Sequence, residues 1–216
     1  MLEAERERVA AAARRLAEEG LVTGTAGNVS TRAGDLVAVT PTGAVLEHLT
    51  APDVAVVDLD ANHLEGDLAA TSELGLHLGA YRRFGPGAVV HTHAPMGTAL
   101  SCVLDEVPVV HYLMLGLGGS VRVAPYATFG TPELAELTLD ALEDRSAALM
   151  SNHGTIALGA DPDGATEMTL LLEWACTIFW RAAAVGTPRV LDADQQREFI
   201  ETVTTRGYGS VQGAKR

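Results

Sequence analysis

A mixed α/β fold around a central sheet is what this sequence predicts. Segments with helical apolar spacing alternate with short valine-rich runs, Gly and Pro clusters separate them, and no linker, repeat or low-complexity stretch divides the chain. At 216 residues the expectation is one domain spanning 1–216, a size at which folding buries roughly 70% of the unfolded surface.

The elements follow in order. Residues 2–19 read as an Ala-rich helix with Val9, Ala12, Ala13 and Leu16 on one face, stopped by Gly20. The segment after it reads as loop. Runs at 36–39, 54–59 and 88–92 are rich in valine and bounded by turn residues, which suits strands. Between the last two, Thr71-Ser72-Glu73 opens a helix that runs to Phe84 before Gly85-Pro86. Thr131-Pro132-Glu133 is a helix start with a hydroxyl cap, Pro at the first position and an acid behind it, leading into 134–142. Strands at 147–150 and 155–158 flank Ser151-Asn152-His153-Gly154. A long apolar helix over 163–185 ends at Gly186 and Pro188, and a last helix runs from a cap at Asp192 to Arg206.

Composition excludes several function classes. Fifteen basic against twenty-eight acidic residues leave −13, and no basic patch stands out, so nucleic acid is not an expected partner. No stretch reaches the roughly 20 uninterrupted apolar residues that span a bilayer, so no membrane partner is expected. The N-terminus alternates acids and bases without an apolar core, unlike a secretory signal, which favours the cytoplasm. Cys102 and Cys176 lie far apart with no CxxC, pointing to core thiols and not to a thiolate metal site.

His91-Thr92-His93 is the strongest local signal, because side chains at i and i+2 of a strand share a face and can grip one cation. A strand-end pair bonded to backbone has the same spelling. His153 lies in a turn before Gly154, where the backbone can bend and bring a third imidazole to the end of the sheet. Three imidazoles suit Zn²⁺, though other divalent cations are accepted by the same set, and they leave a position open for chemistry. His48, His63 and His77 stand in polar, helical or turn contexts and are expected to be solvated.

Glu73 is the favoured acid–base carboxylate, with a helix-dipole acid as its plainer reading. Thr71 and Ser72 place hydroxyls beside free amides at a helix N-terminus, a phosphate site or simple capping. The loops 24–28 and 40–43 carry small residues, hydroxyls and amides that could wrap an anion or merely turn, and neither matches a P-loop. The sole lysine is Lys215, next to the C-terminal residue, so a buried Schiff-base lysine is not available and any aldol chemistry would have to use a metal as its electron sink.

Taken in order, Gly-Thr-Ala-Gly-Asn-Val-Ser (24–30), Thr-Pro-Thr-Gly (40–43), Ser-Glu (72–73), Val-Val-His-Thr-His (89–93), Ala-Pro-Tyr-Ala-Thr-Phe-Gly (124–130) and Asn-His-Gly (152–154) resemble the class II aldolase and adducin family, from about residue 8 to Tyr208. The resemblance is to its fuculose-phosphate-type aldolases. It implies a three-layer α/β/α fold with a mostly antiparallel central sheet, in a homotetramer whose active sites lie at subunit boundaries. It implies a zinc-dependent aldolase that reversibly cleaves a ketose 1-phosphate, a small phosphorylated sugar, to dihydroxyacetone phosphate and an aldehyde through a metal-stabilised enediolate.

The resemblance also implies residue roles. His91, His93 and His153 become zinc ligands, with Glu73 as fourth ligand and base. Gly27, Asn28, Thr42, Gly43, Thr71 and Ser72 bind the phosphate. Tyr112, after His111, is a proton donor supplied by a neighbouring subunit, and Phe129 and Tyr208 lie near the aldehyde end. Thr71 stands where many such aldolases have serine, and Asn152 where some have histidine. The rival readings are a pentulose-5-phosphate 4-epimerase, a methylthioribulose-1-phosphate dehydratase, and a non-catalytic module like the adducin head.

Overall fold

In a computed structural model, whose residues 1–206 are described, a nine-stranded sheet runs through the protein with helices on both faces. In chain order the helices are α1 (Glu3–Glu18), α2 (Leu74–Phe84), α3 (Pro95–Ser101), α4 (Pro132–Ala141), α5 (Pro162–Val185) and α6 (Ala193–Arg206). The strands are β1 (Asn28–Ala33), β2 (Leu36–Val39), β3 (Ala55–Asp58), β4 (His63–Glu65), β5 (Ala88–Thr92), β6 (Glu106–Val107), β7 (Val121–Ala124), β8 (Ala147–Met150) and β9 (Gly154–Gly159). Their spatial order is β4-β3-β2-β1-β5-β9-β8-β7-β6, and every neighbouring pair is antiparallel except β7 with β8.

Period-two alternation explains the three layers. Along β5, Val89 packs with α2 and α4 on one face, while Ala88 and Val90 pack with α1 and the start of α5 on the other. Ile156 and Leu158 of β9 join the first face, and Ala157 the second. The central strands are covered on both sides, so they carry near-continuous apolar runs. This is the α/β/α sandwich with a mostly antiparallel sheet that the family resemblance implied.

Caps set the helix ends. Gly20 takes φ +72° past α1, the Thr131 hydroxyl accepts from Leu134 N–H at 3.2 Å, and Asp161 accepts from Gly164 N–H at 2.8 Å before α5. Asp192 and Gln195 close a reciprocal pair ahead of α6, at 2.9 and 3.0 Å. Glu173 of α5 accepts from Met96 and Gly97 N–H, each at 2.8 Å, pinning the start of α3 just after His93.

Several expectations need correction. Residues 28–33 form a central strand, not loop, because their polar side chains find buried partners: Thr31 donates to Gly87 O at 3.0 Å, and Ser30 meets His77 and Tyr81. Helix α2 begins at Leu74, so Glu73 precedes the first turn instead of lying in it. Cys102 is exposed at the end of α3, not a core thiol; Cys176 is buried, and burial pushes its thiol up to about 12. Helix α3 and strands β4, β6 and β7 were not anticipated.

Helix α5 is, among the described residues, the one long and apolar enough by composition to cross a bilayer. Here one side of it, with Ala165, Leu172, Ala175 and Cys176, is buried in the core. It also approaches the sheet so closely that a Cβ at Gly159 would stand 2.2 Å from Ala165 N. Gly159→Ala is therefore expected to lose about 1–3 kcal/mol by forcing the helix outward, read as a lower urea midpoint with an unchanged slope.

Candidate active site

Strand pairing assembles the histidines. Asn28 of β1 lies opposite His91 of β5, and His91 lies opposite Ile156 of β9. His153 sits in the tight β8–β9 turn, where Asn152 takes φ +55° and His153 N–H donates to Met150 O at 3.1 Å. Asparagine tolerates this left-handed conformation better than most side chains. Gly154 then passes so near β5 that a Cβ there would stand 2.3 Å from Thr92 O.

The result is a rosette. Ring centroids of His91, His93 and His153 are 4.9–5.0 Å apart with interplanar angles of 69–86°. The Nε2 atoms of His91 and His93 are 3.2 Å apart. Glu73 completes the group, its Oε2 at 3.1 Å from His91 Nε2 and its Oε1 at 3.4 Å from His153 Nε2. Since Glu73 is the last residue before α2, its side chain turns toward the imidazoles and not along the helix dipole.

These donors fit a divalent cation. His91 Nδ1 donates to Thr155 O at 2.8 Å, leaving its Nε2 lone pair aimed at the centre. Nitrogens bound about 2.0–2.1 Å from one tetrahedral ion stand roughly 3.3 Å apart, close to the 3.2 Å between the Nε2 atoms of His91 and His93, and the three imidazoles' ligand atoms all lie within 4.8 Å of one another. Glu73 Oε1 is buried with no hydrogen-bond partner, and a cation would satisfy it. Burial, helped by the neighbouring imidazoles, lowers His93 to about 4 and lowers His153, so both are neutral ligands near pH 7. Burial alone would raise the Glu73 carboxyl, but His91, Asn28 and His153 together hold it below the usual carboxylate range.

Beside the rosette opens a cleft of about 420 Å³. Its walls are the 25–28 and 41–43 loops, Thr71 to Glu73, and His93, Tyr126, Ala127, Phe129, Asn152 and His153. Thr71 N–H donates to Thr40 O at 3.1 Å and Thr42 N–H to Ala69 O at 2.9 Å, which ties the two hydroxyl-bearing loops together. Gly27 takes φ +96°, with His91 O and Val22 too near to admit a side chain without movement. Among the described residues no lysine or arginine lines this cleft, so an anion here meets their amides and hydroxyls.

The structure thus brings together Gly27, Asn28, Thr42, Gly43, Thr71, Ser72, Glu73, His93, Phe129 and His153 around one cleft, with His91 buried directly behind Glu73. Phe129 is at the mouth and 67% exposed. Tyr112 is not in this cleft: it stacks between His111 and Phe199, at 4.3 and 4.7 Å, along a separate apolar groove. Tyr208 lies outside the described residues.

One exclusion was wrong. His77 is fully buried, not solvated, because it bonds to Asn28 and Ser30, and burial lowers it to about 3. The signal was present, since Glu73, His77 and Tyr81 recur every four residues and so share one helical face. Tyr126 and Asn152, also unassigned from sequence, line the mouth.

Comparison with known proteins agrees with this geometry. The family described as "Class II Aldolase and Adducin N-terminal domain" matches residues 7–180. A 5-deoxy-D-ribulose 1-phosphate aldolase of Bacillus thuringiensis is 35% identical over 97% of this chain and 99% of its own. A 5-methylthioribulose-1-phosphate/5-deoxyribulose-1-phosphate aldolase of Rhodospirillum rubrum is 37% identical over 91% and 89%. A solved L-fuculose 1-phosphate aldolase superposes with TM-score 0.88 at 32% identity, covering 93% of this chain and 96% of its own. The chain belongs to the class II aldolase and adducin family and is a metal-dependent aldehyde-lyase.

Proposed function

We infer that this enzyme is a zinc aldolase that reversibly cleaves a ketose 1-phosphate to dihydroxyacetone phosphate and an aldehyde, acting as one domain over 1–216. The observation that carries this reading is the adjacency of a three-imidazole, one-carboxylate cluster to a cradle of amides and hydroxyls suited to an anion. His91, His93 and His153 would hold the ion, with Glu73 as a further ligand. When bound, the cation supplies electrophilic stabilisation of the negative charge that develops as the carbon–carbon bond breaks.

The chain's own groups divide the remaining work. Asn28, Thr42, Thr71, Ser72 and the amides at Gly27 and Gly43 hold the phosphate and so fix which carbon faces the rosette. Cleavage between C3 and C4 requires a proton to leave the C4 hydroxyl and one to arrive at C3. Glu73 serves C3, which requires its carboxylate to give up its contacts with the imidazoles first, since held there it is too weak a base. Tyr112 of the partner subunit serves the C4 oxygen. Its place outside this chain's cleft favours that assignment, as do the exposed Trp174 and Trp180 of α5 as material for subunit contacts in a cytoplasmic homotetramer.

Phe129 offers the far end of the substrate an apolar wall, and two relatives that span about nine-tenths or more of the chain are named for 5-deoxyribulose 1-phosphate. Both favour a methyl-terminated pentulose 1-phosphate over a longer hydroxylated sugar. The zinc-loaded protein should bind about one ion per chain and release dihydroxyacetone phosphate from 5-deoxyribulose 1-phosphate with a kcat/KM well above that for L-fuculose 1-phosphate. An epimerase would release no fragment from either, and a dehydratase would lose water only.

Two variants test the roles. Glu73→Gln should keep a bound ion, at reduced affinity, yet lose roughly 10²–10⁴-fold in kcat; substantial residual turnover would remove it from proton transfer. Tyr112→Phe should slow cleavage over a similar range with unchanged metal content, and loss of zinc by elemental analysis would assign the residue a structural role instead.

A further inference from the structure

Behind Glu73 a run of buried polar groups leads from Asn28 to Ser30, His77 and Tyr81, and these last three have no part in the roles assigned above. Asn28 Nδ2 donates to Glu73 Oε2 at 3.0 Å, and Asn28 Oδ1 faces His77 Nε2. His77 Nδ1 is 2.7 Å from Ser30 Oγ, which is 2.6 Å from Tyr81 Oη. Asn28, Ser30, His77 and Tyr81 are each 4% exposed or less.

Hydrogen-bond chemistry fixes every proton in this run. An ionised carboxylate only accepts, so the Asn28 amide must present its nitrogen to Glu73 and its oxygen to His77. That oxygen cannot donate, so His77 must carry its proton on Nε2 and leave Nδ1 bare. Ser30 must then donate to Nδ1, and its oxygen is free to accept from the Tyr81 hydroxyl. Reversing one member would leave two acceptors or two donors face to face among buried groups, where an unmade hydrogen bond carries its full desolvation penalty.

We propose that His77 is a positioning residue: held as its Nε2–H tautomer by Ser30 and Tyr81, it locks the Asn28 amide in the one orientation that delivers an N–H to Glu73 and presents the rest of the amide nitrogen to the cleft. The role rests on the reading of Glu73 as a metal-site carboxylate, but the orientation itself does not. Asn28 lies opposite His91 on the neighbouring strand, so an amide flip would put an oxygen against the Glu73 carboxylate at the edge of the rosette. Outer partners of this kind are worth about 10–100-fold in metal affinity or activity.

Long-range ¹⁵N–¹H correlation spectra of the imidazoles in the wild-type protein give the first test. His77 should show a protonated Nε2 and a bare Nδ1 at neutral pH; the Nδ1–H tautomer overturns the proposal. His77→Leu should lower zinc affinity, measured by chelator competition, by about 10–100-fold and raise KM for the phosphorylated ketose more than it lowers kcat. His77→Gln, which restores an N–H toward Asn28, should recover part of both. Wild-type affinity and KM in a folded His77→Leu protein would also overturn the proposal. Should His77→Leu fail to fold, Ser30→Ala decides: losing the donor to Nδ1, it should show a mixed His77 tautomer, and a pure Nε2–H ring there refutes the tautomer lock. Wild-type protein that takes up no divalent ion would instead sink the proposed function, while the tautomer would still decide the relay.

Discussion

The close passage of Gly154 under the end of β5 is the constraint on which the site depends. A Cβ at that position would stand 2.3 Å from Thr92 O, 3.1 Å from His93 Cδ2 and 3.3 Å from His91 Cε1. Only a residue without a side chain lets the β8–β9 turn come this near, and only that approach places the His153 ring against the other two. The neighbouring Thr92 and Thr155 hydroxyls, 2.8 Å apart on the other face, hold the same crossing together. Backbone proximity thus converts two histidines on one strand and a third sixty residues later into one cluster.

Much of this was legible in the sequence because it is local. The His91-Thr92-His93 spelling predicts a shared face, and His153-Gly154 predicts a turn with room to bend. Caps at Thr131 and Asp192 and the valine runs at 36–39 and 88–92 located most of the layers. What escaped depends on partners distant in the chain. Residues 28–33 look like loop because Asn, Ser, Thr and Arg are poor core material alone; they form a central strand because Ser30, Thr31 and Asn28 are bonded to α2 and to Gly87. For His77 the spacing with Glu73 and Tyr81 marks a shared face, but nothing within its own segment reveals that Asn28 and Ser30 meet it across the layer.

Net charge poses a second problem that the architecture resolves. A chain carrying −13 repels a phosphorylated sugar at long range, and among the described residues no cationic side chain lines the cleft to offset this. On the proposed function, attraction is short-ranged: amides of the 25–28 and 41–43 loops, the hydroxyls of Thr42, Thr71 and Ser72, and the cation that the imidazoles would hold. Association gains nothing from steering, and selectivity falls on geometry. Because the loops are cross-tied through Thr40, Ala69 and Thr71, their donors are set before a ligand arrives, which lowers the ordering cost of holding an anion without a salt bridge.

The start of α2 joins these threads. Had the helix begun at Thr71, as its hydroxyls suggest, Glu73 would lie in the first turn, where an acid simply answers the dipole. Instead Thr71 Oγ1 accepts from Glu73 N–H at 3.2 Å, the chain makes one further turn, and helical geometry begins at Leu74. That delay of three residues does two things at once. It leaves Thr71 and Ser72 on the cleft wall, and it frees the Glu73 side chain to reach the rosette while His77 and Tyr81, one and two turns on, remain on the buried face beneath it. A carboxylate at a helix entrance has its backbone fixed by the helix that follows and its side chain outside the first turn, and the proposed role of Glu73, at a metal and with a proton, calls for that placement.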